Sequence, residues 1–254
     1  MEEAEAKTSD KKKRQVPEFL NVPWKLRDVG FFVVAWLGIQ IIVIELLKFA
    51  AMYSQPLNSF LEGAANGNNI TAVFTFDLLD AVVGFGVVWY YLKKYKVGWK
   101  TVGWRKVGIV RALTYLLGIL LFFILASAAI LTLVSILIPS FNANQSQSNQ
   151  FIPDVHTHTS VALIALVLLP PFLEETIFRG FLFPALAKKW GVWIGAIVSS
   201  IIFGLAHWQA NISIYTFVLG LLLCFMYVKL KSIVPGIFVH MLNNYLAFIA
   251  LYSK

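Results

Sequence analysis

Seven apolar runs separated by short polar segments govern what this chain can become. They lie at about 29–52, 70–92, 112–138, 160–184, 192–208, 212–228 and 233–252. A helix needs roughly 20 mainly apolar residues to cross the ~30 Å hydrocarbon layer, so each run reads as a membrane span. Composition agrees: 59% of the 254 residues are hydrophobic and 13% charged, against roughly 45–50% and about 25% in soluble domains. The expectation is an all-α polytopic membrane protein of about seven transmembrane helices. Residues 1–28, with the basic run Lys11, Lys12, Lys13, Arg14, read as a disordered cytoplasmic tail. Residues 29–254 read as a single transmembrane domain. The first run is longer than the 7–15-residue apolar core of a signal peptide and ends in no small-x-small site, so it reads as a span.

The charge distribution tests this layout. Residues 1–28 and 93–111 hold seven Lys/Arg each, Lys188, Lys189, Lys229 and Lys231 mark later turns, and segments 53–69 and 139–159 hold none. Basic loops stay on the cytoplasmic side, which places the N-terminus inside and, in a bacterium, the protein in the cell membrane. The net charge of +8 thereby reports topology and not a nucleic-acid partner. Segment 93–111, with Trp99 and Trp104, has room for an eighth, re-entrant or interfacial helix. Segment 139–159, rich in Asn, Gln and Ser, reads as an external flexible loop, and its His156 and His158 as solvated. The single cysteine, Cys224, excludes an intrachain disulfide and reads as a packing residue.

Ionisable side chains inside spans are costly and mark function by default. Glu45 and Lys48, three apart on one helix, read as a pair near the outer interface. Asp77 and Asp80 share a face of the second span and read as solvated, interhelical or cavity-lining groups more than as reacting ones. The last 95 residues differ, because three spans bring complementary chemistry. The fourth carries Pro170-Pro171-Phe172-Leu173-Glu174-Glu175-Thr176-Ile177-Phe178-Arg179. On a helix, Glu175 and Arg179 face each other and can pair, whereas Glu174 is rotated by about 100° and can face a cavity. The two prolines, lacking N–H groups, should kink the helix there. Both carboxylates sharing the one Arg as interhelical glue is the alternative. The fifth span ends Phe203-Gly204-Leu205-Ala206-His207, and the seventh places His240 and Asn244 four apart. Ser199 and Ser200 lack the spacing of an activated nucleophile.

These pieces, EETIFR, FGLAH and HMLNN, resemble in combination the motifs of the CAAX protease and bacteriocin-processing (Abi-type) family of intramembrane proteases. The resemblance covers residues 170–250 of a motif-bearing core at 160–252. It implies an endopeptidase whose peptide or protein substrate is presented at or in the bilayer, including a prenylated CAAX-type one. Carried onto this chain, Glu174, assisted by His207, activates a water. His240 and Asn244 donate hydrogen bonds to the oxyanion, and Glu175, Arg179 and Phe203 support them. No cofactor is expected. A zinc held by Glu174, His207 and His240 is the alternative, although the chain has no HExxH pair. A transporter or proton channel using the same polar cluster, or a non-catalytic immunity or scaffold protein, are the rival functions. One tension remains in the layout. Counted along straight spans, Glu174 lies about 20 Å from the outer start of its span and His207 about 24 Å from the inner start of its own, which separates them by several ångströms in depth.

Overall fold

The computed structural model describes residues 16–66, 68–141 and 152–253, and every regular element among them is helical. In chain order these are α1 (Leu26–Ala51), α2 (Gln55–Ala65), α3 (Ile70–Lys94), α4 (Ile109–Leu137), α5 (Thr159–Trp190), α6 (Val192–Leu205), α7 (Ala210–Leu230) and α8 (Val234–Tyr252), with a six-residue helical segment Ile152–Thr157 ahead of α5. By length and composition α1, α3, α4, α5, α7 and α8 can each cross a membrane. The protein is an integral membrane protein; among the described residues six helices are long enough and a seventh, α6, is too short. Its 14 residues reach only ~21 Å at 1.5 Å per residue. Large apolar side chains on α1 (Ile41, Ile42, Leu46) and α4 (Leu117, Leu121, Leu125) remain exposed, as suits surfaces that meet lipid.

Several connections carry more structure than the sequence suggests. Segment 53–69 contains α2, whose first turn is capped by Ser54 Oγ accepting from the Leu57 N–H. Between α3 and α4 the described chain holds no eighth membrane helix, only one 3₁₀ turn, Trp99–Val102. That turn is pressed into the bundle so closely that a Cβ on Gly180 would overlap the Val102 carbonyl. Residues 1–15, including the basic run at 11–14, lie outside the described residues, as do 142–151 of the expected external loop. The tail expected through residue 28 gives way over 16–28 to packed chain. Leu20, Val22 and Trp24 are buried, Trp24 Nε1 donates to the Phe181 carbonyl at 2.9 Å, and its ring stacks on Phe181 at 4.6 Å. Two apolar side chains and an indole within five residues of a polar stretch are enough to dock it.

The chain's depth tension disappears in α5. Pro184 reads as a stop in sequence, yet the helix continues to Trp190. Glu174 is then 17 residues before the turn at Gly191 and His207 is 16 after it. On antiparallel helices rising 1.5 Å per residue these are depths of ~25 and ~24 Å. Gly191 makes this turn at φ 88°, a left-handed value that glycine adopts without a Cβ penalty. α5 tolerates its prolines by opening into wide π turns at Ile164–Leu168 and Glu175–Leu182, a distortion that recurs at functional sites.

Candidate active site

The Pro170-Pro171 pair leaves one backbone acceptor exposed inside α5. The Leu166 carbonyl would take an N–H from residue 170 in an α turn or 171 in a π turn, and both are proline. The Leu169 N–H, the 3₁₀ donor, is bonded to the Ile164 carbonyl. Asn244 of α8 fills the gap, its Nδ2 donating to the Leu166 oxygen at 3.2 Å. An unbonded buried carbonyl costs roughly 1–3 kcal/mol, so this bond fixes α8 against the proline-bearing part of α5. Asn243, which the motif reading passes over, extends the contact. Its Nδ2 donates to Asn244 Oδ1 at 3.2 Å, and its Oδ1 accepts from the Tyr215 hydroxyl of α7.

One turn beyond the prolines the two glutamates separate, as their rotation on the helix requires. Glu175 is 1% exposed and pairs with the equally buried Arg179, Oε1 to Nη1, at 2.7 Å. The same Oε1 lies 3.1 Å from His240 Nδ1. The Arg179 guanidinium sits 4.2 Å above the Phe203 ring, so a carboxylate and an aromatic face share the neutralisation of one buried cation. Phe203 also meets the rings of His207 and His240 edge-on, at 5.1 and 5.7 Å, and so holds both imidazoles. Glu175, Arg179 and Phe203 are thus joined by direct contacts to one another and to the two histidines.

Glu174 points the other way. It is 28% exposed, its Oε2 lies 3.7 Å from His240 Nε2, and that oxygen, although buried, has no hydrogen-bond partner among the described residues. It faces a cavity of about 570 Å³ whose wall also includes His207, His240, Asn243, Asn244 and Asp77. His207 Nδ1 lies 2.9 Å from the Phe203 carbonyl. A carbonyl can only accept, so Nδ1 carries the proton and Nε2 is the basic nitrogen of the neutral ring. All four residues singled out in sequence for chemistry therefore border one space. Among the described residues no three His, Cys, Asp or Glu side chains are arranged to hold a metal ion.

Asp77 takes the cavity-lining role among those the sequence reading allowed. It borders the Glu174 cavity and also a second one, of about 460 Å³, beneath α2. Its neighbour Asp80 serves structure, accepting from Trp36 Nε1 and Gln40 Nε2 of α1, both at 2.7 Å. Helical spacing places the two on one face without telling which of them meets α1. Glu45 and Lys48 form an exposed pair at 2.8 Å. Cys224 is buried, and Ser199 and Ser200 donate to backbone carbonyls.

Residues 156–246 match the family described as "Type II CAAX prenyl endopeptidase Rce1-like". Two curated relatives are each 34% identical. The "Putative membrane peptidase YdiL" of Bacillus subtilis (strain 168) aligns over 101 residues, 39% of this chain and 41% of that protein. The "Uncharacterized 24.3 kDa protein" of Escherichia coli aligns over 64 residues, 24% and 28%. The chain therefore spans less than half the length of either relative. No solved structure matches it. Glu174, Glu175, Arg179, Phe203, His207, His240 and Asn244 all fall within the stretch, residues 156–246, that is similar to the Rce1-like CAAX prenyl endopeptidase family.

Proposed function

We propose that the protein is an intramembrane endopeptidase in which Glu174 activates a water for attack on a peptide carbonyl. The observation that carries this reading is Glu174, whose Oε2 is a buried carboxylate oxygen without a hydrogen bond among the described residues, in the wall of a cavity that two imidazoles also line. An unpaired acceptor of that kind is costly, and a water held between it and His207 Nε2 would satisfy it. Glu174 takes the proton as the water oxygen bonds to the carbonyl carbon. The proton then passes to the leaving amine as the C–N bond breaks. His240 is oriented by Glu175 through Nδ1, so its other nitrogen is presented to the cavity. When the ring carries both protons, that Nε2–H and the second Nδ2 proton of Asn244 form the oxyanion-stabilising pair. The substrate is a membrane-associated polypeptide, and a prenylated CAAX-type chain is the class implied by the family's name. The basic loops are assigned to the cytoplasm, with the N-terminus on that side. Mass spectrometry of products from lipidated and plain peptides, incubated with wild type and Glu174→Gln, tests the reaction. Uncleaved peptides with wild type would refute it.

Asn244 carries two duties on this reading, and they separate by measurement. Asn244→Ala should lose about 1–3 kcal/mol of stability in detergent, through the orphaned Leu166 carbonyl. It should also lose on the order of 10²-fold in activity per folded molecule, as an oxyanion donor does. A stability loss without a catalytic one would leave Asn244 as a purely structural clamp.

The water is activated without metal on this proposal, since Glu175 is engaged by both Arg179 and His240 and Glu174 with the two histidines supplies the acid–base groups. Activity should survive exhaustive chelation. Reversible loss, restored by zinc together with stoichiometric bound zinc, would instead recast Glu174, His207 and His240 as ligands.

A further inference from the structure

The cavity is one-sided. Along each helix, its wall uses only the part nearest the segments that lack Lys and Arg: Val73 and Asp77 on α3, Ala165 to Glu174 on α5, Ile212 to Thr216 on α7, and His240 to Leu251 on α8. α3 starts directly after segment 53–69, and α5 begins at the end of segment 139–159, the two stretches free of basic residues. The α6–α7 turn, where His207 sits, lies at the opposite end of α6 from Lys188 and Lys189. Trp208 in that turn is 93% exposed, as suits an indole at a membrane–water boundary.

On the other side of Glu174 the bundle is closed. Glu175, Arg179 and His240 are buried. Beside them Trp104, from the basic segment 93–111, donates to Thr176 Oγ1 at 3.2 Å and stacks on Phe172, with planes 5° apart. The 3₁₀ turn brings Val102 onto Gly180, and a Cβ at Gly103 would collide with Tyr227 and Ile233. Val102, Phe181, Tyr227 and Ile233 are each at most 1% exposed. Only beyond this floor come the basic groups, with Lys188 bonded to the Val22 carbonyl and Arg111 to the Lys229 carbonyl. A dry layer therefore separates Glu174 from the basic face and leaves it open toward the other.

We propose that the substrate reaches Glu174 from the face opposite the basic loops, so that the scissile segment is one that has already crossed the membrane. With basic loops cytoplasmic, the site serves exported or externally anchored polypeptides, supplied by a translocation reaction, in place of the cytoplasmic prenylated chains that the family's name implies. The notion of a substrate rests on the peptidase reading; the side of access does not. Ala247, exposed on α8 and part of the cavity wall, and Lys100, exposed in the 3₁₀ turn, mark the two faces, and the native Cys224 is buried.

In intact cells making the full chain, a membrane-impermeant maleimide should label Ala247→Cys and leave Lys100→Cys and wild type unlabelled. In inverted vesicles Lys100→Cys alone should react. Labelling of Ala247→Cys from the cytoplasmic face, or from neither face, overturns the proposal. A second arm places one cleavable peptide sequence on either side of a single-span anchor. The exported version should be cut and the cytoplasmic one spared, with neither cut by Glu174→Gln. Cutting of only the cytoplasmic version rejects the access side while preserving peptidase activity. If neither is cut by wild type, the peptidase reading fails, and the labelling result still decides the side of access.

Discussion

Glu174→Gln is expected to abolish peptide hydrolysis while leaving the protein folded. The amide keeps the shape of the carboxylate but cannot take a proton from water, and loss of a positioned general base costs on the order of 10²–10⁴-fold. Stability should hardly change, because Glu174 Oε2 makes no hydrogen bond to the described chain and its contact with His240 Nε2 is 3.7 Å long. A glutamine removes a charge from a polar cavity without stranding a partner. Rates measured on the same peptide, with thermal unfolding in detergent beside them, check both halves. An active Glu174→Gln protein would remove Glu174 from the chemistry altogether.

The neighbouring residue should behave in the opposite way. Glu175→Gln takes the counter-charge from Arg179, which is 1% exposed and 2.7 Å away, and leaves a buried guanidinium with the faces of Phe203 at 4.2 Å and Phe178 at 6.0 Å but no carboxylate bonded to it. Removing one partner of a buried ion pair costs about 3–5 kcal/mol. It also deprives His240 Nδ1 of its carboxylate, so any folded remainder should show reduced activity. The expected result is a large drop in unfolding temperature, matched by Arg179→Ala and nearly absent in Glu174→Gln. Equal stability of the two glutamine variants would contradict this division of labour.

The difference between two adjacent glutamates shows how far residue order alone can carry the assignment. The i, i+4 spacing of Glu175 and Arg179 is a local property of one helix, and it survives even though Glu175–Leu182 is wound as a π helix rather than an α helix. The membrane spans were legible for a similar reason. Burying unpaired backbone groups in hydrocarbon is so costly that long apolar runs have few alternatives to helix. Helix ends were less legible. Pro184 looks terminal, yet α5 continues to Trp190 because packing and π turns absorb its missing N–H. The added length brings Glu174 level with His207.

The sequence by itself determined the helical class, the pairing of Glu175 with Arg179, and the set of polar side chains that the membrane tolerates only in company. These follow from the solvent and from spacing along single helices, which act over a few residues. Only the tertiary structure decided which of these groups meet across helices. It gave Asn244 to the Leu166 carbonyl, placed His240 between both glutamates, sent Asp80 to α1 and turned Asp77 into the Glu174 cavity. It also closed the bundle on its basic side with a short 3₁₀ turn and a tryptophan, Trp104. No local pattern encodes such contacts, because each depends on how deep one helix sits beside another, and that depth is set by the summed packing of the whole bundle.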